Sequence, residues 1–257
     1  MMLSPAARTQ SPPVRVSLNQ ASLRYRDADH DLFVDLNLTL PAGQWTCLLG
    51  KSGCGKTTLL RHLAGLTDDV IWQGELLTSD QQLLDNRVAY MAQQDLLLPW
   101  LSVLDNVCLS QRLGSSSSQP NTTRAMALLE AVGLAEQHAA RPDQLSGGMR
   151  QRVALARTLM QDKPLVLMDE PFSALDAVTR HKLQNLAAEL LADRTVLLIT
   201  HDPQEALRLG HQIYLMSGRP AQLTHLDAPP SNPPRQFDAQ MAAHQQSIID
   251  QLERDYG

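Results

Sequence analysis

The sequence is short of aromatic residues, cysteines, long apolar runs and basic charge, and each shortage removes a class of protein. Aromatics make up 4% of the 257 residues against 43% hydrophobic overall, so the core must be aliphatic. The 3 cysteines, Cys47, Cys54 and Cys108, are odd in number and fit no metal-ligand spacing, which leaves reduced thiols rather than a disulfide framework or a zinc cluster. No stretch approaches the roughly 18 apolar residues of a spanning helix. The start "MMLSPAARTQSPPVRV" lacks the apolar centre of a signal peptide, so the chain is expected to stay in the cytosol. The net charge of −5 gives no basic face to neutralise phosphate backbones, and no nucleic-acid partner is expected.

The chain is long enough for one large domain or two small ones. Residues 1–13, containing Pro and Ser without periodicity, read as a flexible N-terminal extension. The alternation Val14, Val16, Leu18 and then Ala21, Leu23, Tyr25 reads as two half-buried strands, "FVDLNLTL" as another, and "WTCLLG" as a short apolar strand. A helix is predicted from Thr57 to near Gly65. Leu101–Leu113, Thr122–Val132 and Met149–Met160 look helical and form an inserted helical region, about 94–163, with "GSSSSQPN" as a connector. Beyond it, "PLVLMDEP" and "RTVLLITHD" are apolar runs of the buried parallel type, separated by a helix over Ala177–Leu191, and "HQIYLMSG" is a further strand. Residues 226–257 read as a Pro-rich spacer and an amphipathic helix carrying Met241, Ile248, Ile249 and Leu252.

The chemistry begins at "GKSGCGKTT", which fits G-x-x-x-x-G-K-[ST] between an apolar strand and a helix. Glycines let backbone N–H groups approach phosphates, and the helix N-terminus adds its dipole. Gly50, Ser52, Gly53, Cys54, Gly55, Lys56, Thr57 and Thr58 are the expected nucleotide contacts, with Lys56 neutralising terminal phosphates and Thr57 able to ligate Mg²⁺. Cys54 occupies a free position of the loop and reads as a small filler or as a thiol activated beside Lys56. "LVLMDEP" puts Asp169 at a strand end to hold Mg²⁺ and Glu170 beside it as general base. "LSGGMRQRV" has the shape of a second anion-binding helix start.

"LSGGMRQRVALARTL" shortly before "LVLMDEPFSALD", followed by "LLITHD", resembles the ATP-binding subunits of ABC transporters over nearly the whole of residues 14–220. The resemblance implies an α/β fold: a P-loop NTPase (RecA-like) core with a mainly parallel sheet, an N-terminal antiparallel β-subdomain and an inserted α-helical subdomain, the ATPase domain spanning 14–225. By the same resemblance Tyr25 stacks on adenine, with a core tyrosine as the rival reading. Gln93 matches the glutamine that touches Mg²⁺ and the attacking water; Gln94 competes, and counting back from Pro99-Trp100 favours Gln93. Asp176 matches the residue that crosses to a second subunit, and His201 the histidine that senses the γ-phosphate. Met149 departs from the usual glutamine but leaves Ser146, Gly147 and Gly148 intact.

Such proteins pair head to tail, so each ATP lies between the glycine loop of one copy and Ser146, Gly147 and Gly148 of the other. A subunit of this kind works beneath an integral-membrane permease, on the cytoplasmic face of the inner membrane, with a solute-binding protein as indirect partner. "LLLPWLSVLDNV" resembles importers of the nitrate, sulfonate and taurine group, which includes pyrimidine-precursor importers. The alternative is an ABC-type ATPase with a non-transport role, a cytosolic scaffold or a repair enzyme.

Overall fold

The computed structural model describes residues 11–113, 120–173 and 175–256. In chain order the elements are β1 (Val16–Tyr25), β2 (Phe33–Leu40), β3 (Trp45–Gly50), α1 (Lys56–Leu63), β4 (Val70–Thr78), β5 (Val88–Met91), α2 (Val103–Val107), α3 (Leu109–Leu113), α4 (Thr122–Ala131), α5 (Gly147–Met160), β6 (Leu165–Asp169), α6 (Ala177–Leu190), β7 (Thr195–Ile199), α7 (Pro203–Leu209), β8 (Gln212–Gly218), β9 (Ala221–Leu226) and α8 (Ala239–Tyr256). The strands form one nine-stranded sheet in the order β4-β1-β2-β9-β8-β3-β7-β6-β5. The run from β8 to β5 is parallel, whereas β1 pairs antiparallel with β2 and β4, and β8 with β9.

Period-two alternation explains the centre of this sheet. Leu48, Leu165, Leu167, Leu197 and Ile199 face α1 and the antiparallel strands, while Cys47, Leu49, Val166, Met168, Val196 and Leu198 face the helices on the other side. Every residue of β3, β6 and β7 is buried, the expectation for parallel strands covered on both faces. Their C-terminal ends therefore have one exit, the edge where open α/β sheets bind ligands.

Several expectations change. Residues 16–25 form one strand, not two: a bulge between Leu18 and Ala21, with Gln20 at φ 50, inserts an extra residue and reverses the alternation. The helix expected over Leu101–Leu113 divides at Cys108 into α2 and α3. β4, β5, α7 and β9 were not read from the sequence. Of the expected N-terminal extension, 1–10 lie outside the described residues, whereas Ser11 is tied down: its hydroxyl donates to the Asp162 carbonyl at 2.7 Å, and Arg194 donates to the Ser11 carbonyl.

Candidate functional site

The glycine loop joins β3 to α1, and close approach dictates two of its glycines. A Cβ on Gly50, at φ 148, would lie 2.2 Å from the Met216 carbonyl oxygen of β8. A Cβ on Gly55, at φ 107, would lie 2.8 Å from the Leu32 side chain. Lys56 is 6% exposed, and its ammonium donates to the Gly50 and Lys51 carbonyls at 2.6 and 2.9 Å. Cys54 Sγ lies 3.8 Å from that ammonium and is half-buried. Tyr25, at the end of β1, is not a core residue: it is 39% exposed, and its hydroxyl is 2.7 Å from Thr58 Oγ1. Tyr25, Leu32, Gly53 and Cys54 line a cleft of about 710 Å³, a volume that suits a nucleotide.

The carboxylates follow from β6. Asp169, its last residue, is 5% exposed, and Thr57 Oγ1 donates to its Oδ1 at 3.3 Å. Burial pushes the Asp169 carboxyl up from the ordinary range, Thr57 pulls it back, and neighbouring Glu170 pushes it up again. The Thr57 hydroxyl and Asp169 carboxylate are hard oxygen donors of the kind Mg²⁺ selects. Among the described residues no cluster of three or more His, Cys, Asp or Glu could cage a metal. A partial protein shell completed by phosphate oxygens and water is how Mg²⁺ is usually held, so these residues fit it.

Glu170 leaves the strand in the left-handed region, φ 46, with its N–H donating to the Ile199 carbonyl at 3.0 Å. That turn aims the carboxylate out of the sheet, a local strain of the kind found at functional sites. Its Oε2 accepts from Gln93 Nε2 at 3.3 Å and lies 2.9 Å from His201 Nδ1. Gln93, Glu170 and His201 thus converge from the ends of β5, β6 and β7. Gln94 has no such contact, although both Gln93 and Gln94 line a neighbouring cleft of about 560 Å³ with Gly147 and Ser173.

Ser146 is the N-cap of α5, its hydroxyl accepting from the Met149 N–H at 3.3 Å. That bond uses only the backbone of Met149, so the departure from glutamine leaves the cap intact. Gly148 packs against α6, where a Cβ would sit 3.2 Å from Thr179. Asp176 caps α6, accepting from the Val178 and Thr179 N–H groups at 3.1 and 3.0 Å, and these bonds hold its carboxyl below the usual range. The clefts that contain Gly53 and Gly147 share no lining residue.

Sequence reasoning missed the side chains that tie α5 to the segment after β5. Gln151 donates to the Gln93 carbonyl at 3.1 Å, Arg150 to Asp95 at 3.0 Å, and Arg157 to the Asp95 and Leu96 carbonyls at 2.5 and 2.8 Å. The signal available was a set of polar residues on an otherwise apolar helix. Asn106, fully buried, bonds the Leu98 N–H and the carbonyls of Leu98, Leu101 and Ser102, and so shapes the loop that leaves Leu96 and Trp100 57% and 67% exposed.

A glycine loop over a helix N-terminus, beside paired carboxylates at a buried strand end, defines a P-loop nucleoside triphosphatase. The chain belongs to a particular family of that class, the ABC transporter family, whose pattern matches residues 33–173. It is 48% identical over 225 residues to an uncharacterized ABC transporter ATP-binding protein of Haemophilus influenzae, covering 86% of this chain and 92% of that one. It is 40% identical to the aliphatic sulfonates import ATP-binding protein SsuB 1 of Rhodococcus jostii, covering 92% and 94%. Among solved structures, a dimeric post-hydrolysis state of an ATP-binding cassette bound to ADP and Pi superposes with a TM-score of 0.69 at 28% identity, covering 86% of this chain and all 100% of the other.

Proposed function

We propose that the chain hydrolyses ATP to energise an importer for a small polar solute, working as a head-to-tail dimer beneath a permease on the cytoplasmic face of the inner membrane. The observation that carries this reading is the Glu170 carboxylate, shared between Gln93 and His201 beside the glycine loop. Tyr25 stacks on the base, and the amides of residues 50–58 with Lys56 hold the phosphates. Thr57, Asp169 and Gln93 would hold magnesium, whose charge offsets that of the terminal phosphates. Glu170 accepts a proton from a water oriented by Gln93; the water oxygen bonds to the γ-phosphorus as the bond to the β–γ bridging oxygen breaks, leaving ADP and phosphate. With its proton on Nδ1, His201 donates to Glu170 and holds that carboxylate in place.

The second half of each site comes from the other copy, whose Ser146, Gly147 and Gly148 present helix N–H groups to the γ-phosphate. The cleft beside Gly147 contains no residue of the glycine loop of the same chain, which supports this division. Asp176 then lies near the junction of the copies. Among the described residues no helix is long and apolar enough to cross a membrane, so translocation falls to a permease, for which residues 94–107 with exposed Trp100 form part of the dock. A solute-binding protein delivers cargo to that permease, and relatives named for sulfonate import support the importer reading.

Glu170→Gln tests the chemistry: nucleotide binding should persist while turnover is lost, and unchanged turnover would overturn the assignment. Trp100→Ala tests the dock, since permease co-purification should fall with ATP binding intact; unchanged assembly would remove it.

A further inference from the structure

Behind the site, buried polar groups join α6, α7 and the segment before α8. Glu205 of α7 is 5% exposed and Gln184 of α6 is 4% exposed, and Gln184 Nε2 donates to Glu205 Oε1 at 2.9 Å. Glu205 lies against the Thr200 side chain, whose Oγ1 accepts from the Asp202 N–H at 3.0 Å. Thr200 and Asp202 flank His201, so a chain from carboxylate to hydroxyl to amide brackets the histidine. On its other side, Gln184 Oε1 accepts from Arg208 Nε at 3.1 Å. Arg208 donates to the Arg235 carbonyl at 2.5 Å, and buried Arg235 donates to the Leu207 and Gly210 carbonyls, each at 2.7 Å.

None of these groups takes part in the proposed chemistry, and apolar side chains of similar volume would often stabilise the packing as well. A fully paired buried network does something apolar packing does not, which is to hold one geometry. Here the geometry held is the turn between β7 and α7. Glu170 is already anchored to β7 through the Ile199 carbonyl, and the Thr200 N–H to the Leu48 carbonyl of β3 at 3.2 Å, so the remaining freedom in the Glu170–His201 pair lies in the Thr200 side chain and residues 201–202.

We propose that Glu205 is a positioning residue for ATP hydrolysis: through Thr200 it fixes the backbone around His201, and through Gln184 it ties that turn to α6, the helix capped by Asp176. The inference rests on the reading of His201 given above. Arg208 and Arg235 extend the same lock to the C-terminal segment.

The test measures kcat and KM for ATP, with nucleotide affinity and thermal unfolding, on the full-length chain carrying Glu205→Gln, Thr200→Val, His201→Ala and each of the first two combined with His201→Ala. A lost positioning contact should lower kcat by up to about tenfold in Glu205→Gln and Thr200→Val, with KM within about twofold. In the His201→Ala background neither change should slow the residual single-turnover rate further. Unaltered kcat in both single variants, or a loss that persists in full without His201, would overturn the proposal. Thr200→Val leaves the buried carboxylate in place and decides the matter if Glu205→Gln fails to fold. Full turnover by His201→Ala would instead remove the reading of His201, an outcome distinct from the failure of Glu205.

Discussion

At the ends of β3, β6 and β7 the site residues hang from strands buried on both faces, whereas Gln93 and Ser146 belong to segments secured largely by polar side chains. Gly50, Asp169 and Ile199 are the last residues of those strands, and their positions follow from sheet register. The loop after β5 is held to α5 by Gln151, Arg150 and Arg157, bonds each worth about 0.5–1.5 kcal/mol net, more where a charged partner is buried. The difference separates residues placed by sheet register from a loop whose course depends on side-chain bonds. Apolar packing runs through both, since Val153, Leu155 and Leu159 of α5 share one core with Cys47, Leu49, Val166 and Val196.

Variants in each half sharpen that contrast. The largest effect is expected from Glu170→Gln in the strand half: turnover should fall by about 10²–10⁴-fold with nucleotide affinity retained, checked by steady-state ATPase and equilibrium binding. In the helical half, Ser146→Ala should slow turnover by roughly 10–100-fold if, as proposed, this helix start supplies donors to the nucleotide of the other copy. Nucleotide binding by the single chain should not change; if binding were lost as well, the two halves would belong to one chain's site. Gln151→Leu leaves the Gln93 carbonyl without that donor and should slow turnover a few-fold while shifting Tm little, checked by kinetics and calorimetry. A large Tm drop there would mean that the helical half is held as firmly as the strands.

The smallest effect concerns pH. Burial raises the Glu205 carboxyl from 4.5 to about 7, opposed by its contacts with Thr200 and Gln184, while Asp202 pushes it up and Arg180 pulls it down. The folded protein therefore binds this proton more tightly than the unfolded chain. Stability from this group is fully present below about 4.5 and is lost as the pH rises through about 7. Glu205→Gln, uncharged at every pH, should remove this part of the decline, read as a Tm–pH curve flatter than that of the unaltered protein. Identical curves would show that the carboxyl titrates in its ordinary range.

The strand half was the more legible in sequence, for a physical reason. Fully apolar runs such as "VLM" and "VLLI", followed by polar or charged residues, mark parallel strands and their ends without reference to any partner. Strands with one wet face were harder. β4, with alternating exposure and Gly74 in its middle, carries too weak a pattern to stand out, and β9 mixes polar and apolar positions. α7, only seven residues long, lacks the length for helical periodicity. The phase break at Asn19 and Gln20 looks like a strand end because a bulge reverses alternation just as an end would. Candidate residues outran topology: Lys56, Asp169 and Glu170 stand out by motif context and His201 by the family resemblance, but the bonds joining Gln93, Glu170 and His201 were not legible.

By itself the sequence determined which elements carry phosphate chemistry, because glycines, a lysine and strand-terminal carboxylates act through local backbone geometry. It determined too that the core is aliphatic. Only the tertiary structure decided that Glu170 is shared by Gln93 and His201, that α5 grips the loop after β5, and that Glu205, Gln184, Arg208 and Arg235 form one buried network. Those are contacts between residues far apart in the chain, and their distances are set by how the sheet stacks its strands and helices, which no local pattern encodes.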